Sequence, residues 1–167
     1  MVIRQLCSHD RDRIRRLLEQ SGVFRKEEVQ VAMDVLDETV GHPDKSDYHI
    51  FCADDGSAEL VGYICFGPIP LTDSCYDLYW IAVDEKNQKR GVGGYLLRFA
   101  EEFVARNGGR RIYVDTSSTA AYEPARRFYL KHGYPAVCVL HDFYRKGDHR
   151  MICMKEMGPV APKEIKT

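Results

Sequence analysis

Trp80-Ile81-Ala82-Val83-Asp84-Glu85-Lys86-Asn87-Gln88-Lys89-Arg90-Gly91-Val92-Gly93-Gly94 passes from an apolar strand through a polar loop into a glycine-rich helix start. The first N–H groups of a helix lack partners inside it, and the helix dipole places about half a positive charge there. Glycine lets a ligand approach such backbone closely, and Lys89 and Arg90 add charge at the same place. The stretch therefore predicts a site for a phosphate or diphosphate. Two other phosphate loops do not fit. No Gly-x-x-x-x-Gly-Lys-Ser/Thr occurs, and the dinucleotide fingerprint would need glycine at position 96, which is Leu96. A tight loop that merely starts a helix is the competing reading of the same residues.

Upstream of this turn, residues 2–6 read as a short strand. Ser8 or Asp10 can cap a helix carrying Ile14, Leu17 and Leu18 at three-to-four spacing. A second helix over 26–39 aligns Val29, Met33, Leu36 and Val40, and Gly41-His42-Pro43-Asp44 ends it. Residues 48–53, 59–67 and 75–83 are rich in β-branched and aromatic residues and read as strands, the first two joined by Asp54-Asp55-Gly56-Ser57. Downstream, 91–107 returns to a helical period, 111–116 reads as a strand, and 122–132 as a helix with Pro124 in its first turn and Gly133 beyond its end. Strands over 136–143 and 149–155 close the series. The order βααβββαβαββ predicts an α+β (α/β) fold: a mixed, mostly antiparallel sheet with helices on both faces. Residues 1–157 make one domain, and 158–167, with two prolines, read as a flexible tail.

Composition narrows the function classes. The 24 basic and 25 acidic side chains give a net charge of −1, which leaves no broad basic field for nucleic acid. The six cysteines contain no Cys-x-x-Cys pair, so no metal site is expected and the thiols read as small buried hydrophobes. No apolar run reaches a membrane-spanning length and the N-terminus has no export-signal pattern, so the cytoplasm is the expected compartment.

Gln88-Lys89-Arg90-Gly91-Val92-Gly93 matches the signature Gln/Arg-x-x-Gly-x-Gly/Ala, and with it the chain resembles the GNAT superfamily of N-acyltransferases. The loop sits where that family has it, between the fourth strand and the third helix, and the element order agrees from residue 2 onward. The resemblance implies acetyl-CoA as co-substrate, with its pyrophosphate held by main-chain N–H groups of Gln88, Lys89, Arg90, Gly91, Val92, Gly93 and Gly94. It extends cofactor contact to Ile81, Ala82 and Val83 on the fourth strand, where a backbone N–H near Ile81 would face the carbonyl oxygen. Tyr122 stands where many relatives carry an asparagine against the pantetheine arm. Arg126, in a second basic cluster with Arg110, Arg111 and Arg127, would face the 3′-phosphate.

Acetyl transfer to an amine needs a base for the ammonium proton, stabilisation of the carbonyl oxygen, and a proton for the departing thiolate. Tyr129, in Ala125-Arg126-Arg127-Phe128-Tyr129, resembles the family tyrosine that points at the sulfur. For the base there are two candidates. Asp77 resembles the glutamate of histone-type relatives; even spacing would put it on the face of Ile81, about 13 Å away, so that it works through water. Asp115 lies on the strand that carries an acidic residue in N-terminal acetyltransferases.

The segment Asp142-Phe143-Tyr144-Arg145-Lys146-Gly147-Asp148 resembles the last hairpin of protein N-terminal acetyltransferases, which implies that Tyr144 lines the acceptor site. Arg11, Arg13, Arg15, Arg16, Arg25 and Lys26 on the first two helices would favour an acidic acceptor if they are not simply solvated. The implied partner is an amine-bearing small molecule or a peptide, and a non-catalytic acyl-CoA-binding module is the rival. Whether the chain forms a homodimer stays open.

Overall fold

A computed structural model describes residues 1–158. The expected tail, apart from Gly158, lies outside the described residues. Strand β1 (Val2–Gln5) leads through a short turn into α1 (Arg11–Gln20) and α2 (Lys26–Gly41). Then come β2 (His49–Asp54), β3 (Leu60–Pro68), β4 (Cys75–Val83), α3 (Val92–Arg106), β5 (Arg111–Ser117), α4 (Glu123–Lys131), β6 (Ala136–Arg145) and β7 (Asp148–Glu156). The seven strands form one sheet in the order β1-β2-β3-β4-β5-β7-β6, and only β4 and β5 run parallel. This is the mixed, mostly antiparallel architecture expected from the element order.

The sheet carries an apolar core on each face. On one, Leu96, Leu97, Ala100 and Val104 of α3 pack with Ile64, Phe66 and Val114 of the strands. On the other, Ile14, Leu18, Met33 and Leu36 of α1 and α2 cover Cys52, Tyr63 and Cys65. Val40 was expected in the α2 stripe, but it lies in the last turn and is exposed, and Ala32 is buried in its place. Neither Ser8 nor Asp10 caps α1 through its side chain. The buried Asp10 carboxylate instead accepts hydrogen bonds from Arg4 (2.6 and 2.8 Å) and from the Cys7 amide (2.8 Å), and Arg4 also grips Asp54 (2.6 Å). A carboxylate removed from water is stabilised far more by a full opposite charge than by a helix amide.

Two irregularities of the sheet place the site. In the β3–β4 ladder, Trp80 pairs with Cys65 but Leu78 pairs with Phe66, so Tyr79 is an inserted residue. A bulge reverses the alternation of side chains along its strand. Tyr76 and Leu78 before it, and Ile81 and Val83 after it, all join the α3–α4 core, while Trp80 and Ala82 join the α1–α2 core. Asp77 therefore points to the α1–α2 face and Ile81 to the opposite one, which corrects the even-spacing expectation. The second irregularity is the parallel pairing itself. It covers four rungs, from Cys75↔Arg111 to Leu78↔Val114, and from Tyr79 onward β4 and β5 splay apart.

Candidate active site

The loop after β4 keeps its backbone donors free. The Gln88 amide closes a turn onto the Glu85 carbonyl (3.2 Å), and the first bond into α3 runs from Tyr95 to Gly91 (2.9 Å). Among the described residues, none accepts a well-formed hydrogen bond from the amides of Lys89, Arg90, Gly91, Val92, Gly93 or Gly94. Six donors are thus available where seven were expected, since that of Gln88 is spent. Lys89 (φ 61°) and Gly91 (φ 85°) are both left-handed, which curls the backbone into a concave, donor-lined turn.

The three glycines do different work. A Cβ on Gly91 would meet nothing within 4 Å, so this residue fronts open space. Gly93 lies against the Phe128 ring (3.3 Å from a built Cβ) and Gly94 against His132 Nε2 (2.9 Å). These two let α4 approach the start of α3. The open backbone at Gly91 and its six donors fit a diphosphate.

The splay leads from this loop toward Asp77, six residues or roughly 20 Å back along β4 from Val83. On the α1–α2 side it collects Asp77, Asp115, Tyr122 and Tyr144 of the residues read from the sequence. Asp77 lies one strand away from Asp115, whose carboxylate is ion-paired with Arg150. Burial first, and then the charge of Asp115, raise the Asp77 pKa to about 6, against the opposing pull of Arg150. The Arg150 guanidinium also lies 5.0 Å over the Phe143 ring. Tyr144 belongs to the same cluster: burial and the charge of Asp115 raise its pKa. Tyr122 donates to Glu28 Oε1 of α2 (3.1 Å), which ties the connection between β5 and α4 to that helix.

Hairpin β6–β7 reaches this cluster because it is knuckled. Residues 141–144 stand opposite His149 alone, and Asp142 (φ 53°) turns the strand. Its carboxylate accepts from the Gly147 amide (2.7 Å), while its own amide donates to His149 Nδ1 (2.9 Å).

Tyr129 lies on the opposite face of the sheet, buried in the α3–α4 core beside Phe128 and Tyr134. Burial pushes its pKa well up, so its hydroxyl stays protonated at any ordinary pH. Thr116, on the splayed part of β5, is buried with a hydroxyl that has no partner among the described residues.

The basic residues are arranged differently from the sequence reading. Arg126 donates to the Ser117 (2.5 Å) and Thr119 (2.8 Å) carbonyls and ties down the connection into α4. Arg110 is held by the Asp73 carbonyl and Arg111 by Glu156, at the far end of β5, roughly 20 Å from Ser117. The expected basic cluster is therefore two separate sites, and Arg126 is committed to backbone. Of the six basic residues on and beside α1 and α2, Arg11, Arg13, Arg15 and Arg25 pair with Asp37, Glu59, Glu19 and Glu28, while Arg16 and Lys26 have no ion-pair partner among the described residues. Cys7, His9 and Asp10 bring ligand atoms within 4.8 Å of one another, but Asp10 is already engaged by Arg4.

Sequence reasoning missed Arg150, Glu28 and Thr116. Arg150 reads as a turn-flanking charge and Glu28 as part of a helix N-terminus; only the strand pairing brings Arg150 to Asp115.

Among the described residues, no helix is long and apolar enough to cross a membrane. No curated protein matches the chain at a significant level. Solved structures do match. One from Desulfovibrio desulfuricans, assigned to the GNAT family, is 38% identical with a TM-score of 0.89, covering 94% of this chain and 99% of its own. An aminoglycoside 6′-N-acetyltransferase complexed with coenzyme A is 23% identical (TM-score 0.72; 96% and 99% covered). The ribosomal-protein-S18-alanine N-acetyltransferase from Escherichia coli is 14% identical (TM-score 0.74; 99% of each chain). These last two are alike in fold alone. The family model for GNAT acetyltransferases matches residues 12–134, from α1 through the donor-lined loop to the end of α4. With most of the chain matched by that model and a family member 38% identical along it, this protein belongs to the GNAT family of acetyltransferases.

Proposed function

We propose that the chain is an N-acetyltransferase that moves an acetyl group from acetyl-CoA to a primary amine by direct attack in a ternary complex. The observation that carries this reading is the row of six unpaired amides at Lys89–Gly94, opening onto the gap between β4 and β5. Those amides would hold the diphosphate, the gap would take the extended arm, and the bound thioester would supply the acyl group.

The two faces of the gap then divide the chemistry. Asp77, on the α1–α2 side, accepts the ammonium proton through water; a carboxyl with a pKa of about 6 is a stronger base than an ordinary aspartate and is still mostly ionised at neutral pH. Asp115 is the weaker candidate because Arg150 already occupies its carboxylate. Tyr129, kept protonated by burial on the other side, gives its hydroxyl proton to the departing sulfur. A backbone N–H of β4 near Ile81, Ala82 or Val83, in the stretch without a β5 partner, steadies the carbonyl oxygen. Tyr144 and the Glu28–Tyr122 bridge flank the amine's approach. All six cysteines are free thiols, which suits a reducing compartment such as the cytoplasm.

The test is thiol release from acetyl-CoA against a panel of amines, amino acids, polyamines and short peptides. Amine-dependent release with an acetylated product is expected. Binding of coenzyme A with no turnover on any amine would leave a binding module instead.

A further inference from the structure

Lys146 and Gly147 alone join β6 to β7, and a turn that short normally continues into a regular ladder. Here it does not. Arg145 pairs with Asp148 and Leu140 with Arg150, which leaves His141, Asp142, Phe143 and Tyr144 opposite the single residue His149. Extra residues bend a strand and re-aim its side chains. Asp142, at φ 53°, is left-handed, a conformation that a non-glycine residue keeps only where its surroundings hold it.

Two hydrogen bonds hold Asp142. Its carboxylate accepts from the Gly147 amide (2.7 Å), which closes the turn on itself. Its own amide donates to His149 Nδ1 (2.9 Å), and this bond fastens the bulged strand to β7. His149 is a fixed point. Its amide donates to Ser118 Oγ (2.9 Å) and its carbonyl accepts from the Ser118 amide (3.0 Å), both on the connection from β5 into α4. The imidazole stands edge-on to the ring of His141, with centroids 4.7 Å apart. A ring nitrogen that accepts an N–H carries no proton, so the proton of the neutral ring is on Nε2.

The two residues after Asp142 are the ones that reach the acceptor side of the cleft. Phe143 lies under the guanidinium of Arg150, the partner of Asp115, and the Tyr144 ring stands perpendicular to it at 5.1 Å. We propose that His149 is a positioning residue for the acceptor amine: its unprotonated Nδ1 latches the knuckle of β6 and so sets where Phe143 and Tyr144 stand beside Asp115 and Arg150. The inference rests on the transferase reading above. Without the latch β6 can slip toward regular pairing, and a slip of one residue carries both rings to the other face of the strand.

Two variants separate the hydrogen-bond acceptor from the ring. His149→Phe keeps the ring and its contact with His141 but removes the acceptor. His149→Asn gives up the ring but places an amide oxygen near where Nδ1 stood. The probes are acetyl-CoA and whichever amine of the panel the wild type turns over fastest. His149→Phe should raise the KM for that amine about 5- to 10-fold, with the KM for acetyl-CoA and the thermal midpoint unchanged. His149→Asn should recover most of that loss. Long-range proton–nitrogen NMR of the wild type should show the neutral His149 ring protonated at Nε2. An amine KM that stays unchanged in His149→Phe overturns the inference. So does a rise that acetyl-CoA shares or that His149→Asn does not reduce, and so does a neutral ring protonated at Nδ1. A wild type that turns over no amine fails the transferase reading instead, and the tautomer still judges the latch.

Discussion

Replacing Asp77 by asparagine tests the site through stability and through rate. The Asp77 carboxyl is lifted from its ordinary 3.8 to about 6 by burial and by the charge of Asp115. That difference corresponds to about 3 kcal/mol at about 1.36 kcal/mol per pKa unit. Asp77 is only partly buried, and solvent screening reduces the figure to about 1–2 kcal/mol. The sign follows from the direction. Between pH 3.8 and about 6 the folded chain holds this proton more tightly than the unfolded chain, so stability falls as pH rises through the window. Asp77→Asn has no proton to lose. In urea melts it should match the wild type near pH 4 and exceed it by about 1–2 kcal/mol at pH 7.5. On the proposed mechanism, kcat/KM of the wild type should climb with an apparent pKa of about 6. The variant should lose that limb and roughly 10²–10³-fold in rate. A stability gap that is the same at pH 4 and pH 7.5 would refute the raised carboxyl. An intact limb near pH 6 in the variant would place the base elsewhere.

Three other outcomes follow from the same geometry. Tyr129→Phe should lower kcat by roughly 10²-fold while calorimetry with coenzyme A gives an unchanged affinity; equal turnover would remove Tyr129 from the chemistry. Gly91→Ala and Gly94→Ala should part company. The first meets open space but a left-handed backbone, costing about 1 kcal/mol and weakening coenzyme A binding. The second drives a methyl to 2.9 Å from His132, costing about 1–3 kcal/mol in thermal or urea unfolding. Arg4→Met strands the buried Asp10. Burial alone would raise the Asp10 pKa, but the hydrogen bonds from Arg4 and the Cys7 amide hold it below 3.8. The stability it contributes is present above that pH and lost as pH falls further. The variant should lose about 3 kcal/mol at pH 7 and progressively less below pH 4, measured by denaturant unfolding.

The element order was legible because each segment's apolar period is clean, and the donor-lined loop because its glycines and charges are contiguous. What stayed hidden depends on pairing across strands. No glycine or proline in Cys75–Val83 marks the Tyr79 bulge, so a period-two reading carried Asp77 to the wrong face. Arg126 looked like a free cation because the Ser117 and Thr119 carbonyls that hold it are set by the shape of a loop. That Gly93 and Gly94 also make room for α4 stayed hidden, because nothing in the local sequence says that α4 returns against them.

The four rungs joining Cys75–Leu78 to Arg111–Val114 give the molecule the build of an open book, with β1–β4 as one leaf and β5–β7 as the other. A guest lying in the gutter touches both leaves and acts as a strut between them. Occupancy should therefore slow amide exchange on both flanks together, in residues 79–83 and 115–117, and at about 100 times its dissociation constant it should add about 2.7 kcal/mol against unfolding.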